Sequence, residues 1–212
     1  MKLFLPFGFL FFSLSFCNLA NKFTGGKTET PTDSNVTKTN SPDSKAEDIS
    51  AEKYSLTPEQ SSILNSGKDI KWDEQGIGWT VPNSWKKTTS SPTTLMWSSS
   101  DGAFLIANVS PLGGDFPTDI SLKANYDGSV TRQKNGELEK LRYVEIDGLK
   151  GIEFIEVMPN KKDDPRRHQW ISFRKYAGQV QMLNFMLSTK GANFDKHRDE
   201  FASIISSTKI TR

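Results

Sequence analysis

Three features of the sequence predict an α+β fold, a mostly antiparallel sheet flanked by helices. Short apolar or alternating runs recur from Ile70 onward, paired across turn residues of which Asp147-Gly148 is the clearest signal. Two other segments, starting near Pro117 and Asn193, carry their apolar residues at helical rather than strand spacing. The resulting order, strands, helix, four strands, helix, suits a sheet with its helices packed against it.

Taken in order, Ile70–Trp72 and Ile77–Val81 are two short strands around Gly76, the second stopped by Pro82, with Trp85 following in a Pro-Asn-Ser-Trp turn. Thr94–Ser98 and Ala103–Val109 form a hairpin through Ser99-Ser100-Asp101-Gly102. The second arm, Ala-Phe-Leu-Ile-Ala-Asn-Val, is apolar on both faces and therefore predicts a central strand covered on both sides. A helix follows from Pro117 or Thr118 to about Lys134. Its stripe of Ile120, Ala124 and Val130 or Thr131 is weak, and Gly128 interrupts it. Leu138–Ile146 and Leu149–Val157 turn about Asp147-Gly148. A polar loop, Pro159–Arg167, leads to a third hairpin, His168–Tyr176 and Gln179–Leu187, turning at Ala177-Gly178. Asn193 caps a last helix in which Phe194, Phe201, Ile204 and Ile205 recur at helical spacing.

Composition divides the chain further. The 212 residues hold 27 Lys and Arg against 25 Asp and Glu, a net charge of +2. That balance excludes the basic footprint of a nucleic-acid binder. One cysteine excludes an internal disulfide and a cysteine-built metal site, and two histidines leave little for a histidine-rich one. Residues 1–17 are dominated by Leu and Phe, residues 18–56 by Ser, Thr, Asn, Lys and acids, and all five Trp fall in residues 70–212. The domain organisation predicted is therefore a leader at 1–17, a disordered tether at 18–56, a short helix and connection at 57–69, and one folded domain at 70–212. The short helix begins with a capping box, Thr57 and Gln60 around Pro58, and can end at Gly67.

The leader has one charge, Lys2, then about 14 residues of apolar character, too few to span a bilayer, and ends at the only cysteine, Cys17. Leu14-Ser15-Phe16-Cys17 resembles a bacterial lipobox, whose cysteine is diacylated. Phe16 departs from the pattern, which has a small residue there, and leaves ordinary secretion, with cleavage after Cys17 or Ala20, as the alternative. Two acyl chains on Cys17 would hold the protein stably at a membrane. Asn18 is not the Asp that retains enteric lipoproteins in the inner membrane, so a lipid-anchored outer-membrane position is expected ahead of a secreted or periplasmic one.

The opening Gly78-Trp79-Thr80-Val81-Pro82-Asn83-Ser84-Trp85 resembles the start of PsbP/Mog1-like domains, as do the Asp147-Gly148-Leu149-Lys150-Gly151 turn and the closing helix. The resemblance covers about residues 70–210. It implies an α/β/α sandwich used mostly for binding, known on photosystem II, on the Ran GTPase and in bacterial envelope lipoproteins. It carries no catalytic residues, and fold alone does not fix function.

The search for chemistry finds no Gly-x-Ser-x-Gly elbow and no phosphate loop, and Gly76-Ile77-Gly78 lacks the rest of a dinucleotide fingerprint. Asp163-Asp164-Pro165-Arg166-Arg167-His168 is the densest polar cluster. Its aspartates and His168 could ligate a metal, and Arg166 and Arg167 could clamp an anion or partner. A solvated loop accounts for it more simply, and no metal or cofactor is expected. His197 reads as a surface or half-buried histidine, and most of the tryptophans as core. Trp85, beside Pro82 and Lys86-Lys87, is the exception available to a partner.

The function expected is a non-catalytic binding module of an envelope lipoprotein, presented to a protein or small-ligand partner. A structural or assembly factor of a membrane complex is the alternative that an exposed apolar sheet face would favour. An enzyme or carrier would instead show a deep cleft holding a shifted titratable group.

Overall fold

The computed structural model describes residues 50–211, which belong to one compact unit. The leader, Cys17 and most of the tether lie outside the described residues. Eleven strands and three helices are formed: β1 (Glu52–Lys53), α1 (Pro58–Asn65), β2 (Lys68–Trp72), β3 (Ile77–Val81), β4 (Lys86–Ser90), β5 (Thr94–Ser98), β6 (Phe104–Leu112), α2 (Thr118–Lys134), β7 (Leu138–Ile146), β8 (Leu149–Glu156), β9 (Pro165–Tyr176), β10 (Gln179–Lys190), α3 (Gly191–Ser206) and β11 (Lys209–Ile210). Eight strands make one sheet in the order β1-β7-β8-β9-β10-β6-β5-β4, and β11-β3-β2 make a second. Among the described residues only the β1–β7 pair is parallel. This is the α+β architecture the pattern of runs predicts.

Local chemistry explains most of the elements. Thr57 and Gln60 exchange the two hydrogen bonds of a capping box and start α1. Asp147 and Gly148 both take positive φ, 49° and 76°, the geometry of the two-residue hairpin turn. The β9–β10 hairpin does the same with Ala177 and Gly178 and pairs all twelve residues of each arm.

The large sheet has two faces. On one, α3 and the three-stranded sheet bury Trp79, Trp170, Phe185, Leu187, Phe194 and Phe201 in the main core. On the other, α2 packs on β7, β8 and β9, and Leu122 joins Tyr143, Ile152, Phe154 and Phe173 in a smaller core. The faces alternate along each strand, so Trp170 and Phe185 lie opposite one another on the α3 face while Gln169 and Met186 lie on the α2 face.

Several expectations change. The folded unit starts before residue 57, because β1 pairs with β7 and Tyr54 packs on the main core. Lys86–Ser90, with no apolar residue to mark it, is an edge strand. The helical stripe of α2 is misplaced: Ile120 is 72% exposed, while Leu122 and Ser129 turn inward. Asn193 does not cap α3. The helix begins two residues earlier, where the amides of Gly191 and Ala192 donate to the carbonyls of Asp164 and Lys162. Finally, β6 is covered on one face only from Phe104 to Val109: Leu105, Ala107 and Val109 are buried and Phe104, Ile106 and Asn108 are half-buried, while Leu112 at its end packs on the smaller core.

Gly151 is fixed by packing. A Cβ there would lie 2.4 Å from Trp170 Nε1 and 2.7 Å from the Ile171 carbonyl oxygen. Neither strand can withdraw from the centre of the sheet, so Gly151→Ala is expected to lower stability by about 2–3 kcal/mol, as measured by urea unfolding.

Candidate functional site

The polar cluster singled out in the sequence is not a solvated loop. Strand β9 begins at Pro165 and carries Arg166, His168 and Trp170 onto the α3 face, so Arg166 and His168 are buried, at 3% and 1% exposure. Arg167, on the opposite face, stays half-buried. The two arginines are already paired. Arg166 lies over the Phe194 ring, donates through Nε to the Glu156 carbonyl, and pairs with Glu139 and Asp195. Arg198 shares both carboxylates. Arg167 holds Glu156 at 3.0 Å. The arginines are thus held by carboxylates of β7, β8 and α3, which corrects the anion-clamp reading. Asp163 pairs with Lys190 rather than with His168, and among the described residues no group of His, Cys, Asp and Glu could hold a metal ion.

His168 instead meets an acid the sequence reading passed over. Glu153, on β8 between Ile152 and Phe154, is fully buried. Its Oε1 accepts from His168 Nε2 at 2.7 Å and from the Tyr54 hydroxyl at 2.9 Å. Its Oε2 accepts from Arg142 Nε and lies 3.2 Å from Lys140 Nζ. Arg142 also lies over the Tyr54 ring and reaches Glu52 of β1 at 2.7 Å. A carboxylate only accepts, so His168 carries its proton on Nε2, and Nδ1 has no partner. Burial alone would raise the Glu153 carboxyl. The bond and charge of His168, then Lys140 and Arg142, outweigh it and hold the group well below the usual carboxylate range. The same burial, with the charge of Glu153, pushes the Tyr54 phenol far up.

Two surface cavities among the described residues lie away from this centre. One, about 400 Å³, lies beside β3 and β11 between Lys71, Asp73, Asp147 and Lys209. The other, about 500 Å³, lies at the start of α2 beside Phe116 and Lys175. The Glu153 cluster acts as a tie: it fastens β1 and Tyr54, just after it, to β7, β8 and β9.

His197 is buried as well. Its ring sits between Glu200, 2.6 Å from Nδ1, and Asp101, 3.1 Å from Nε2, and stacks on Phe201, joining α3 to the β5–β6 turn. Trp85 is 1% exposed. The turn in which its amide donates to the Pro82 carbonyl folds the indole into the main core, so it offers no surface to a partner.

The exposed candidate is the uncovered half of the α2 face. Strand pairing places Met96, Ile106, Met186 and Gln169 directly opposite one another across β5, β6, β10 and β9. Lys86, Ser98, Phe104, Ser188 and Arg167 form the adjacent row. Thr94, Asn108 and Asn184 form the row on the other side, with Thr94 donating to Asn108 and Gln169 to Asn184. Phe104, Ile106, Met96 and Met186 are half-buried and belong to neither core. Sequence reasoning missed this surface because it took β6 to be covered twice.

Removing the Glu153 charge tests the tie. Glu153→Gln leaves buried cations without their partner and is expected to cost about 3 kcal/mol in urea unfolding. Because folding depresses this carboxyl, the stability it supplies is present above its unfolded value, about 4.3, and is lost as pH falls below it. Between pH 6 and pH 3 the native protein should lose about 1–2 kcal/mol more than Glu153→Gln does.

No protein-family model matches the sequence, and no curated protein is similar to it in sequence. Solved structures are similar in architecture. LpqN of Mycobacterium tuberculosis, described as involved in cell envelope biogenesis, shares 16% identity over 69% of this chain and 86% of its own, with a TM-score of 0.49. Cyanobacterial PsbP (CyanoP) of Synechocystis sp. PCC 6803 shares 18% identity over 69% of this chain and 94% of its own, with a TM-score of 0.44. The Ran-binding protein Mog1p of Saccharomyces cerevisiae shares 10% over 68% and 95%, with a TM-score of 0.40. The chain spans about half the length, 49%, of a similar protein from Bacteroides thetaiotaomicron. The likeness to PsbP and Mog1 structures, to which the Gly78–Trp85 motif pointed, is one of fold and brings no ligand, partner or catalytic residue with it.

Proposed function

We propose that the chain is a non-catalytic binding module of a bacterial cell envelope, held at a membrane through lipid on Cys17 and presenting its sheet to a protein partner. The observation that supports the binding role is the open half of the α2 face, where Phe104, Ile106, Met96 and Met186 stay half-buried outside both cores. Contiguous apolar surface of this kind on a soluble domain marks a place of contact. Strands rather than loops hold it, so it is rigid before binding and loses little freedom on association. The location rests on the sequence, with Lys2, the Leu- and Phe-rich run and the lone Cys17 in the order of a lipoprotein leader.

The same apolar row favours a second reading, a subunit or assembly factor of a membrane complex. Mild detergent extraction separates the two: an assembly factor fractionates with a large complex, and a dissociable module fractionates alone.

Intact mass measurement of the membrane-extracted protein tests the anchor. A diacylglyceryl adduct on Cys17 as the new amino terminus is expected, and Cys17→Ser should release the protein from the membrane fraction. An unmodified amino terminus at Asn18 or Asn21 would refute the anchor and leave a secreted module.

A further inference from the structure

Strand β1 has little backbone pairing of its own. Its ladder is Glu52 against Val144 and Lys53 against Glu145, at the edge of the large sheet, and both of its residues are exposed. Side chains do the fastening. Ala51 rests on the smaller core and Tyr54 on the main one. Glu52 reaches Arg142 at 2.7 Å, and the Tyr54 hydroxyl donates to Glu153 at 2.9 Å with the Arg142 guanidinium over its ring. The chain is next secured at α1, where the Gln60 side chain donates to Asp199 and the Gln60 carbonyl accepts from Ser203 of α3. Residues 50–56 are thus a strap across the outer edge of β7, and its polar latch is Glu153.

The latch is assembled around one carboxylate, which makes it sensitive to protons. From β7 the carboxylate is faced by Lys140 and Arg142, from β9 by His168, and from the strap by Tyr54 and, through Arg142, Glu52. Its ladder neighbour on β9, Trp170, is neutral. A proton on Glu153 leaves Lys140 and Arg142 with Glu52 as their nearest counter-charge and turns an acceptor of four donors into a group that must itself donate. His168 offers the proton no alternative place, because its Nδ1 is buried among groups that accept nothing from it. Lifting the strap lets water reach the carboxyl. The latched carboxyl is held below the usual range and the opened one is not, so the opened form binds a proton more readily and acid draws the equilibrium towards it.

We infer that residues 50–56 are an acid-released strap: they lift from the edge of β7 as a unit, Glu153 taking up one proton, while β7 to β10 and α1 stay in place. Such sub-global opening is drawn from the parts of a fold with the shortest ladders. It bares the outer edge of β7 at Val144 and Glu145. It also frees seven residues, 50–56, up to about 23 Å of chain, between the domain and the chain before residue 50. The inference is independent of the binding reading above.

The test is hydrogen–deuterium exchange of the full chain, read by peptide mass between about pH 6 and pH 3 and corrected for the intrinsic pH dependence of amide exchange. One proton per opening raises the open population of residues 50–56 about tenfold for each pH unit below about 4.3, and leaves it level above. Peptides of the β9–β10 hairpin should show no such rise. Glu153→Gln should open the strap at pH 6 and abolish the slope. Tyr54→Phe, which removes one hydroxyl and keeps the ring, should raise the opening about tenfold at pH 6 and retain the slope, so the inference stays testable if Glu153→Gln does not fold. A strap that exchanges no faster in acid overturns it. So does a slope unchanged in Glu153→Gln, which removes Glu153 as the latch, or a β9–β10 hairpin that loosens at the same pH and to the same extent, which makes the event global unfolding.

Discussion

The sheet is wider than the helices available to cover it, and much of the structure follows from that mismatch. Eight strands at the usual spacing extend about 34 Å, whereas one helix shields a strip about 10 Å wide. On the α3 face the shortfall is made up by the second sheet, whose Trp72, Trp79 and Ile77 join the main core. On the α2 face there is one helix. Its stacked partners, Tyr126 on Tyr143, and its buried Leu122 hold it over β7 and β8. The unequal cover makes one core large and the other small, and leaves β6 with a dry face and a wet one.

A buried carboxylate is an unusual place to find stability, and the environment of Glu153 explains why it persists. β1 has two residues in register with β7, too short a ladder to hold the strand in place. Tyr54 and Glu52 add contacts that a ladder cannot, one to Glu153 directly and one through Arg142. Replacing the whole cluster with apolar residues could leave the sheet as stable, since buried ion pairs offset a large desolvation cost. Removing one member cannot, because the others are then buried with nothing to neutralise them. The cluster therefore fixes where the chain joins the sheet more than it strengthens the sheet itself.

What the sequence made legible was local. The Thr57–Gln60 capping box, the Asp147-Gly148 turn and the closing helix each depend on residues a few positions apart, and each formed. What it hid was the identity of whatever packs on a given face. Ala-Phe-Leu-Ile-Ala-Asn-Val reads as buried on both sides because period-two alternation is absent, yet only its odd-numbered residues meet a second layer. Arg166 and His168 looked solvated because charged residues near a proline usually are. Their partners, Glu139, Asp195 and Glu153, are distant in sequence and adjacent only through strand pairing. One signal was present: Glu153 is a single acid between Ile152 and Phe154 in an apolar strand, a position where a carboxylate must find cations. Trp85 gave no comparable sign, since its burial depends on how a four-residue turn aims.

The place of the open surface is a consequence of chain order. Strands β4, β5 and β6 follow one another through short turns, so the chain passes from one edge of the sheet towards its middle without spending any residues on a helix. The first helix after them, α2, must carry the chain from β6 past β10, β9 and β8 to β7, which runs parallel to β6 through the alternation of the intervening strands. A crossover helix packs on the strands it is delivering the chain to, here β7 and its neighbours. The later hairpin arm β10 then fills the gap beside β6, and α3 leaves it for the opposite face. No stretch of residues 50–211 is left to lie over β10, β6, β5 and β4. That half of the α2 face is therefore left open among the described residues, held rigid by strand pairing and apolar along one row, with Glu156 held by Arg167 at its border.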